Sequence, residues 1–311
     1  MEQIIDVILD SGRSAVDMAL YILLPVMVVM LAVMKLLDAY GVLARIANLL
    51  APLLRIFGVP GLGIFAMVKL LFVSFAAPVA TLTLMDQNGT ARRYIASTLA
   101  MVLTMSQANV VFPMVAVGLN LPVIMATSVV GGLFAAALTY YLLGRVLAQD
   151  QPEPTAEVPV VVTAKKSPIQ IMSDGGQEGV KIVIGMIPML ILAICFVNAL
   201  KVSGAIGLIS ALLTPLLGLI GLPEASVLPL VTKFIAGGTA FMGVTMELLN
   251  QGQLTVQELN RMAGFATNPL DIVGVAVLAA AGARVKSVVR IAVIGACAGM
   301  LLRGILHLLI F

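Results

Sequence analysis

The stretch Tyr94–Gly144, YIASTLAMVLTMSQANVVFPMVAVGLNLPVIMATSVVGGLFAAALTYYLLG, runs for 51 residues without one formal charge. A transmembrane helix needs about 20 predominantly apolar residues, so this stretch alone predicts two spans. The rest of the chain has the same character. Hydrophobic side chains make up 61% of the 311 residues and charged ones 11%, and the mean hydropathy of +1.12 lies far from that of soluble domains. The chain reads as an all-α integral membrane protein, with the lipid bilayer as its first partner. A net charge of +3 spread over single basic residues, no Trp and 5% aromatics offer no basic stripe or stacking platform, which excludes nucleic acid. Cys195 and Cys297 lie in apolar tracts without a CxxC or a His partner and read as packing, so no metal site is expected. Met1–Tyr21 carries Glu2, Asp6 and Asp10 before its first basic residue, the reverse of a signal peptide, and is expected to open an uncleaved first span.

The chain contains a second copy of its own pattern. Leu24-Pro25-Val26-Met27 aligns with Ile187-Pro188-Met189-Leu190, Ala51-Pro52-Leu53-Leu54 with Thr214-Pro215-Leu216-Leu217, and Gly58-Val59-Pro60 with Gly221-Leu222-Pro223. One inserted residue later Lys69 falls on Lys233, Thr81 on Thr245 and Gln87 on Gln251. Apolar residues match anywhere in a membrane protein, but helix breakers and lysines do not, so the register indicates duplication. The expected division is a first repeat over 1–147, a polar linker over 148–179 and a second repeat over 180–311.

Each copy has the same order of elements. A long helix (Ala15 to Leu37, Ile182 to Leu200) precedes a shorter segment (Val42 to Phe57, Ala205 to Ile220) that is too short to span and reads as interfacial. A third element (Pro60 to Met85, Pro223 to Asn250) has a small, polar or proline-containing middle. Arms of about 12 residues reach only some 18 Å of the roughly 30 Å core, which fits a re-entrant hairpin, with one kinked spanning helix as the alternative. A fourth element (Arg93 to Asn120, Arg261 to Gly282) is a span broken near its centre, at Met105-Ser106-Gln107-Ala108-Asn109 and Ala266-Thr267-Asn268-Pro269-Leu270-Asp271. Leu121 to Leu147 and Val285 to Phe311 close the copies.

With a hairpin, each copy crosses the membrane three times, and an odd number inverts the second copy. The linker side then holds twelve basic residues (Lys35, Arg45, Arg55, Arg92, Arg93, Arg145, Lys165, Lys166, Lys181, Arg284, Lys286 and Arg290) against four on the other (Arg13, Lys201, Arg261 and Arg303). The positive-inside rule makes the linker cytoplasmic and both termini external, in an inner or plasma membrane. Inverted repeats with broken helices at mid-depth are the plan of secondary transporters.

Polar groups at bilayer depth are costly unless they face protein or water, which selects the candidate site. Ser106, Gln107 and Asn109 form one cluster, read either as substrate-binding or as interhelical glue. Thr267, Asn268 and Asp271 form the second; Pro269 frees carbonyls nearby, and the Asp271 carboxylate is expected to face a cation, a proton or a lysine, which makes it the candidate for coupling to Na+ or H+. Lys69 and Lys233 either snorkel to the interface or approach a central site and attract an anion. The hairpin middles, with Ser74 on one side and Gly238 and Thr239 on the other, offer helix N-terminal amides to a carbonyl or anionic ligand. His307 reads as interfacial, and Walker, HExxH and GxSxG motifs are absent from the sequence, so no enzyme activity and no cofactor are expected.

The unit of long helix, interfacial helix, Gly-x-Pro, hairpin and broken polar helix in Pro25 to Asn120 and Pro188 to Gly282 resembles the nucleoside-recognition or Gate domain. That superfamily is similar across concentrative nucleoside transporters, spore maturation membrane proteins and the membrane part of ferrous-iron transporters. The resemblance implies an elevator-type mechanism, with hairpins and broken helices moving against a scaffold, and it places Gln107, Asn109, Asn268 and Asp271 where those transporters hold substrate and sodium. Two departures are the two hairpin lysines and the lack of a Gly-Glu-rich hairpin signature. The expected function is a secondary transporter for a small polar or anionic metabolite, a nucleoside among the candidates, acting with further copies of the chain. The alternatives are a non-transporting scaffold subunit and a metal-ion permease.

Overall fold

The computed structural model describes residues 2–147, 166–219 and 221–311, and among them every regular element is helical. Helix α1 (Glu2–Asp17) runs through a π-helical stretch, Met18–Leu23, into α2 (Leu24–Ala39). The π turn has a local cause: Pro25 has no N–H to give, and the Leu24 amide reaches back to the Ala19 carbonyl instead. Helix α3 (Val42–Leu54) follows, then the pair α4 (Gly61–Phe72) and α5 (Ala77–Gln87), which lie against each other across a four-residue turn. A broken helix is formed by α6 (Arg92–Thr104) and α7 (Ala108–Val115), and α8 (Leu121–Tyr141) closes the first half. The same order returns in α9 (Pro168–Val202), α10 (Ala205–Leu219), α11 (Val227–Asn250), the broken pair α12 (Val256–Ala266) and α13 (Ile272–Ala279), and α14 (Ala283–Ile310).

Two boundaries differ from the sequence reading. Helix α9 begins twelve residues inside the expected linker, at Pro168, because Ser167 and Gln170 exchange side-chain and backbone hydrogen bonds (3.3 and 3.4 Å) and proline fits the first helical turn. The linker positions 148–165, Lys165 among them, lie outside the described residues. The first long helix likewise reaches back to Glu2, not Ala15. The third element also differs between the halves. In the first it is two helices, whereas α11 is one run interrupted only at Gly237, whose φ of 85° and ψ of −178° suit a residue without Cβ.

Among the described residues six helical stretches are long and apolar enough to cross a bilayer: Ile5–Ala39, Arg92–Val115, Leu121–Tyr141, Pro168–Leu200, Glu224–Asn250 and Ala283–Ile310. The chain is a multi-pass membrane protein by this pattern. Its outer surface carries exposed Val29, Leu49, Leu192, Phe196 and Leu309, which suit lipid, while α6 is buried from Ile95 to Thr104 and forms the central post between α8 and α14. Glycines bring the outer helices close. A Cβ on Gly175 would stand 2.6 Å from the Leu31 carbonyl, so α9 contacts α2 backbone to backbone, the small-residue packing that holds helices together where lipid offers no hydrophobic drive.

Candidate functional site

The two broken helices meet at their breaks. The Gln107 amide donates to the Thr267 carbonyl (3.0 Å), the Gln107 side-chain amide to the Asn268 carbonyl (3.2 Å), and the Ser106 and Thr267 hydroxyls are 2.9 Å apart. Backbone groups freed by each interruption are thus answered by the other. Gln107 and Asp271 hold the same place, the N-cap of the second half-helix, in the register that pairs Lys69 with Lys233. Asn268 fixes its own break, donating to Phe265 and accepting from the Leu270 amide, both at 3.0 Å.

On one side of the crossing lies a cavity of about 280 Å³, bounded by Gln107, Asn109, Gly238, Thr239 and Asp271, with Phe75, Met186 and Val273 as apolar wall. Asn109 accepts the Phe75 amide at 3.2 Å, tying the turn of the α4–α5 pair to the half-helix. The half-helices α7 and α13 both begin here, so two positive helix ends face the cavity. Of the residues singled out in the sequence, Gln107, Asn109, Gly238, Thr239 and Asp271 come together. Ser74 sits beside Phe75 in the turn, Ser106 and Thr267 lie behind the cavity, and Asn268 serves the break.

The lysines separate. Lys233 is fully buried and paired with Asp271, whose other oxygen accepts the Gly274 amide at 2.7 Å. Lys69 instead pairs with Asp38 at 3.1 Å, partly exposed, with its ammonium 4.7 Å from the Phe65 ring centre. Of the two readings of the lysines, the geometry gives neither for both together: Lys233 is neutralised by a carboxylate in place, and Lys69 lies off the cavity, paired with Asp38 at the end of α2. Of the three readings of Asp271, the lysine partner is the one the geometry supplies.

Two functional-looking residues escaped the sequence reading. Arg303, counted among the external basic residues, is fully buried and donates to the Thr104 carbonyl (2.5 Å), the Ser106 hydroxyl (2.7 Å) and the Thr267 hydroxyl (2.9 Å). His307, read as interfacial, is also buried; its Nδ1 meets the Asn260 carbonyl at 2.6 Å, which only a donor satisfies, and Nε2 lies 2.9 Å from the Thr127 hydroxyl. The signal was present: Gly295, Gly299, Arg303 and His307 recur every four residues on one face of α14, and small residues on that face mark it as turned to protein.

Paired broken helices crossing behind a polar cavity set the comparison with known proteins. Residues 20–137 match the Gate family, described as nucleoside recognition. This Gate match runs from the first long helix into α8, so the superfamily resemblance drawn from Pro25 to Asn120 holds. The chain is also 33% identical over 102 residues to spore maturation protein B of Bacillus subtilis (strain 168), an alignment taking in 30% of this chain and 57% of that relative. The chain thus spans little more than half of the relative's length. Solved structures of CNTnw, a concentrative nucleoside transporter, share the fold. An inward-facing substrate-bound state matches with a TM-score of 0.68 at 18% identity over 94% of this chain and 74% of that one, and an outward-facing state with 0.69 at 17% over 94% and 75%. An intermediate state scores 0.70 at 18% over 94% and 75%. At such identity the likeness carries the fold, and scores this similar single out no one conformation.

Proposed function

We propose that this Gate-related chain is a membrane secondary transporter for a small polar or anionic metabolite, and that its cavity takes acceptor-rich molecules, nucleosides among them. The observation that carries the reading is the cavity at the crossing of the two breaks. The charged pair beside it, Lys233 with Asp271, is internally neutralised, while two carboxamides, a Thr hydroxyl and two helix N-termini offer donors to carbonyl, hydroxyl or ring-nitrogen acceptors. Apolar Phe75, Met186 and Val273 supply contact area for a flat ring. The proposed mechanism is an elevator-like movement of the hairpin and broken-helix elements against the long helices, a reading supported by the likeness of the fold to the CNTnw structures. Asp271 remains the candidate for proton coupling, through exchange of its lysine partner, and Na+ is the other coupling ion considered.

The proposed topology keeps the linker in the cytoplasm, both termini outside and the second half inverted, in an inner or plasma membrane, with further copies of the chain as oligomeric partners. Burial of Arg303 removes it from the external basic residues, leaving Arg13, Lys201 and Arg261 against twelve on the linker side, which strengthens the bias. A second reading, a non-transporting scaffold subunit, is favoured by the similarity to spore maturation protein B. Purified protein screened by thermal shift and in proteoliposome uptake against nucleosides, carboxylates and phosphates, with and without Na+ and proton gradients, separates the two. Saturable nucleoside binding with uptake supports the carrier; neither binding nor uptake for any class leaves the scaffold.

A further inference from the structure

We propose that Arg303 is a resident cation: its guanidinium fills an all-oxygen site between the two helix breaks, so that this site takes no metal ion. The guanidinium is fully buried, and no carboxylate among the described residues forms an ion pair with it. Its compensation comes from the backbone. Helix α6 ends at Thr104 and α12 ends at Ala266, so two helix C-termini, each worth roughly half a negative charge, converge on one positive group. The oxygens are oriented for a cation. Thr104 offers a carbonyl freed by the break, and the Thr267 hydroxyl gives its proton to Ala263 at 3.0 Å, which turns lone pairs toward Arg303. Ser106 completes the set, its amide occupied by Ser128 at 2.6 Å. Unwound carbonyls at half-helix C-terminal ends are the donors that hold Na+ in transporters of this general plan, and here a side chain stands among them.

The fold makes room for this side chain. A Cβ on Gly131 of α8 would lie 2.2 Å from Arg303 Cγ and 2.8 Å from Cδ, and 2.9 Å from the Gly299 carbonyl, so the glycine face of α8 is shaped to the arginine stem. The guanidinium is held through its two terminal nitrogens, Nη1 on Thr104 and Nη2 on Ser106 and Thr267. Arg303 is thus a positioning residue that locks the crossing of the breaks, on the side away from the cavity, and Ser106 and Thr267 serve it and not a substrate. The inference stands apart from transport: it concerns what occupies the oxygen site, whatever the cavity carries.

The test uses thermal melting of the purified full-length protein. Wild type is expected to melt at the same temperature in sodium chloride and in choline chloride of equal ionic strength. R303A is expected to melt several degrees lower and to be restored, saturably, by millimolar ethylguanidinium but not by ethylurea, its uncharged analogue. Should R303A fail to fold, R303K and R303M carry the comparison, the lysine variant retaining the charge and melting above the methionine variant. Rescue of R303A, or the lysine-over-methionine order, supports the resident cation. A saturable Na+ stabilisation of wild type that S106A abolishes would overturn it, as would R303A melting like wild type, R303A unaffected by ethylguanidinium, or R303K no better than R303M.

Discussion

Lys233 and Asp271 form a buried ion pair that joins α11 to the N-cap of α13, with Asp271 at the cavity wall and Lys233 behind it. Two ions taken out of water cost several kcal/mol each, and the cost is offset here by their mutual attraction and by the Gly274 amide on the second carboxylate oxygen. Breaking the pair from either side strands a charge. Lys233→Met and Asp271→Asn are each expected to cost about 3–5 kcal/mol. The double variant should recover most of the loss, which a double-mutant cycle on detergent-solubilised protein reads; additive losses would mean the two residues act independently.

Lys69 provides the contrast. Its pair with Asp38 is partly exposed, and exposed pairs contribute about 1 kcal/mol or less. Lys69→Met is therefore expected to leave the melting temperature within a few degrees of wild type and to leave ligand-induced stabilisation unchanged. A loss of ligand response in this variant would return Lys69 to the binding site.

At the cavity wall, a Cβ on Gly238 would meet Gln107 Nε2 at 2.4 Å and Val110 Cγ2 at 2.9 Å, whereas one on Gly185 meets nothing within 4 Å. Gly238→Ala must push Gln107 off the Asn268 carbonyl, at about 1–3 kcal/mol for an overpacked core position. It should abolish nucleoside binding measured by titration calorimetry, while Gly185→Ala, adding one methyl to open space, weakens binding without destabilising the protein. Equal affinities in the two variants would count against this cavity as the binding site.

Orientation is open to cysteine labelling after Cys195 and Cys297 are replaced. Lys165→Cys should react with a membrane-impermeant maleimide only once cells are opened, and Phe311→Cys should react in intact cells. The opposite pattern would invert the proposed topology.

Composition and periodicity determine that this chain lives in a bilayer and where it breaks its helices, because these are local consequences of chain chemistry. Pro25 and Pro52 recur as Pro188 and Pro215, and the polar interruptions at Ser106–Asn109 and Thr267–Asp271 leave backbone groups that a continuous helix would have paired. Which polar residues meet is another matter. Lys69 and Lys233 hold equivalent positions and take different partners, since Asp38 and Asp271 reach them from distant parts of the chain, and only tertiary packing brings those carboxylates near. The same holds for Arg303. Near the end of an apolar helix an arginine reads as a surface anchor, because snorkelling is the least costly solution for a helix considered alone. It becomes a buried cation only when the C-terminal ends of α6 and α12 and the recess at Gly131 converge on it, a compensation built from three other helices that no window of the sequence contains.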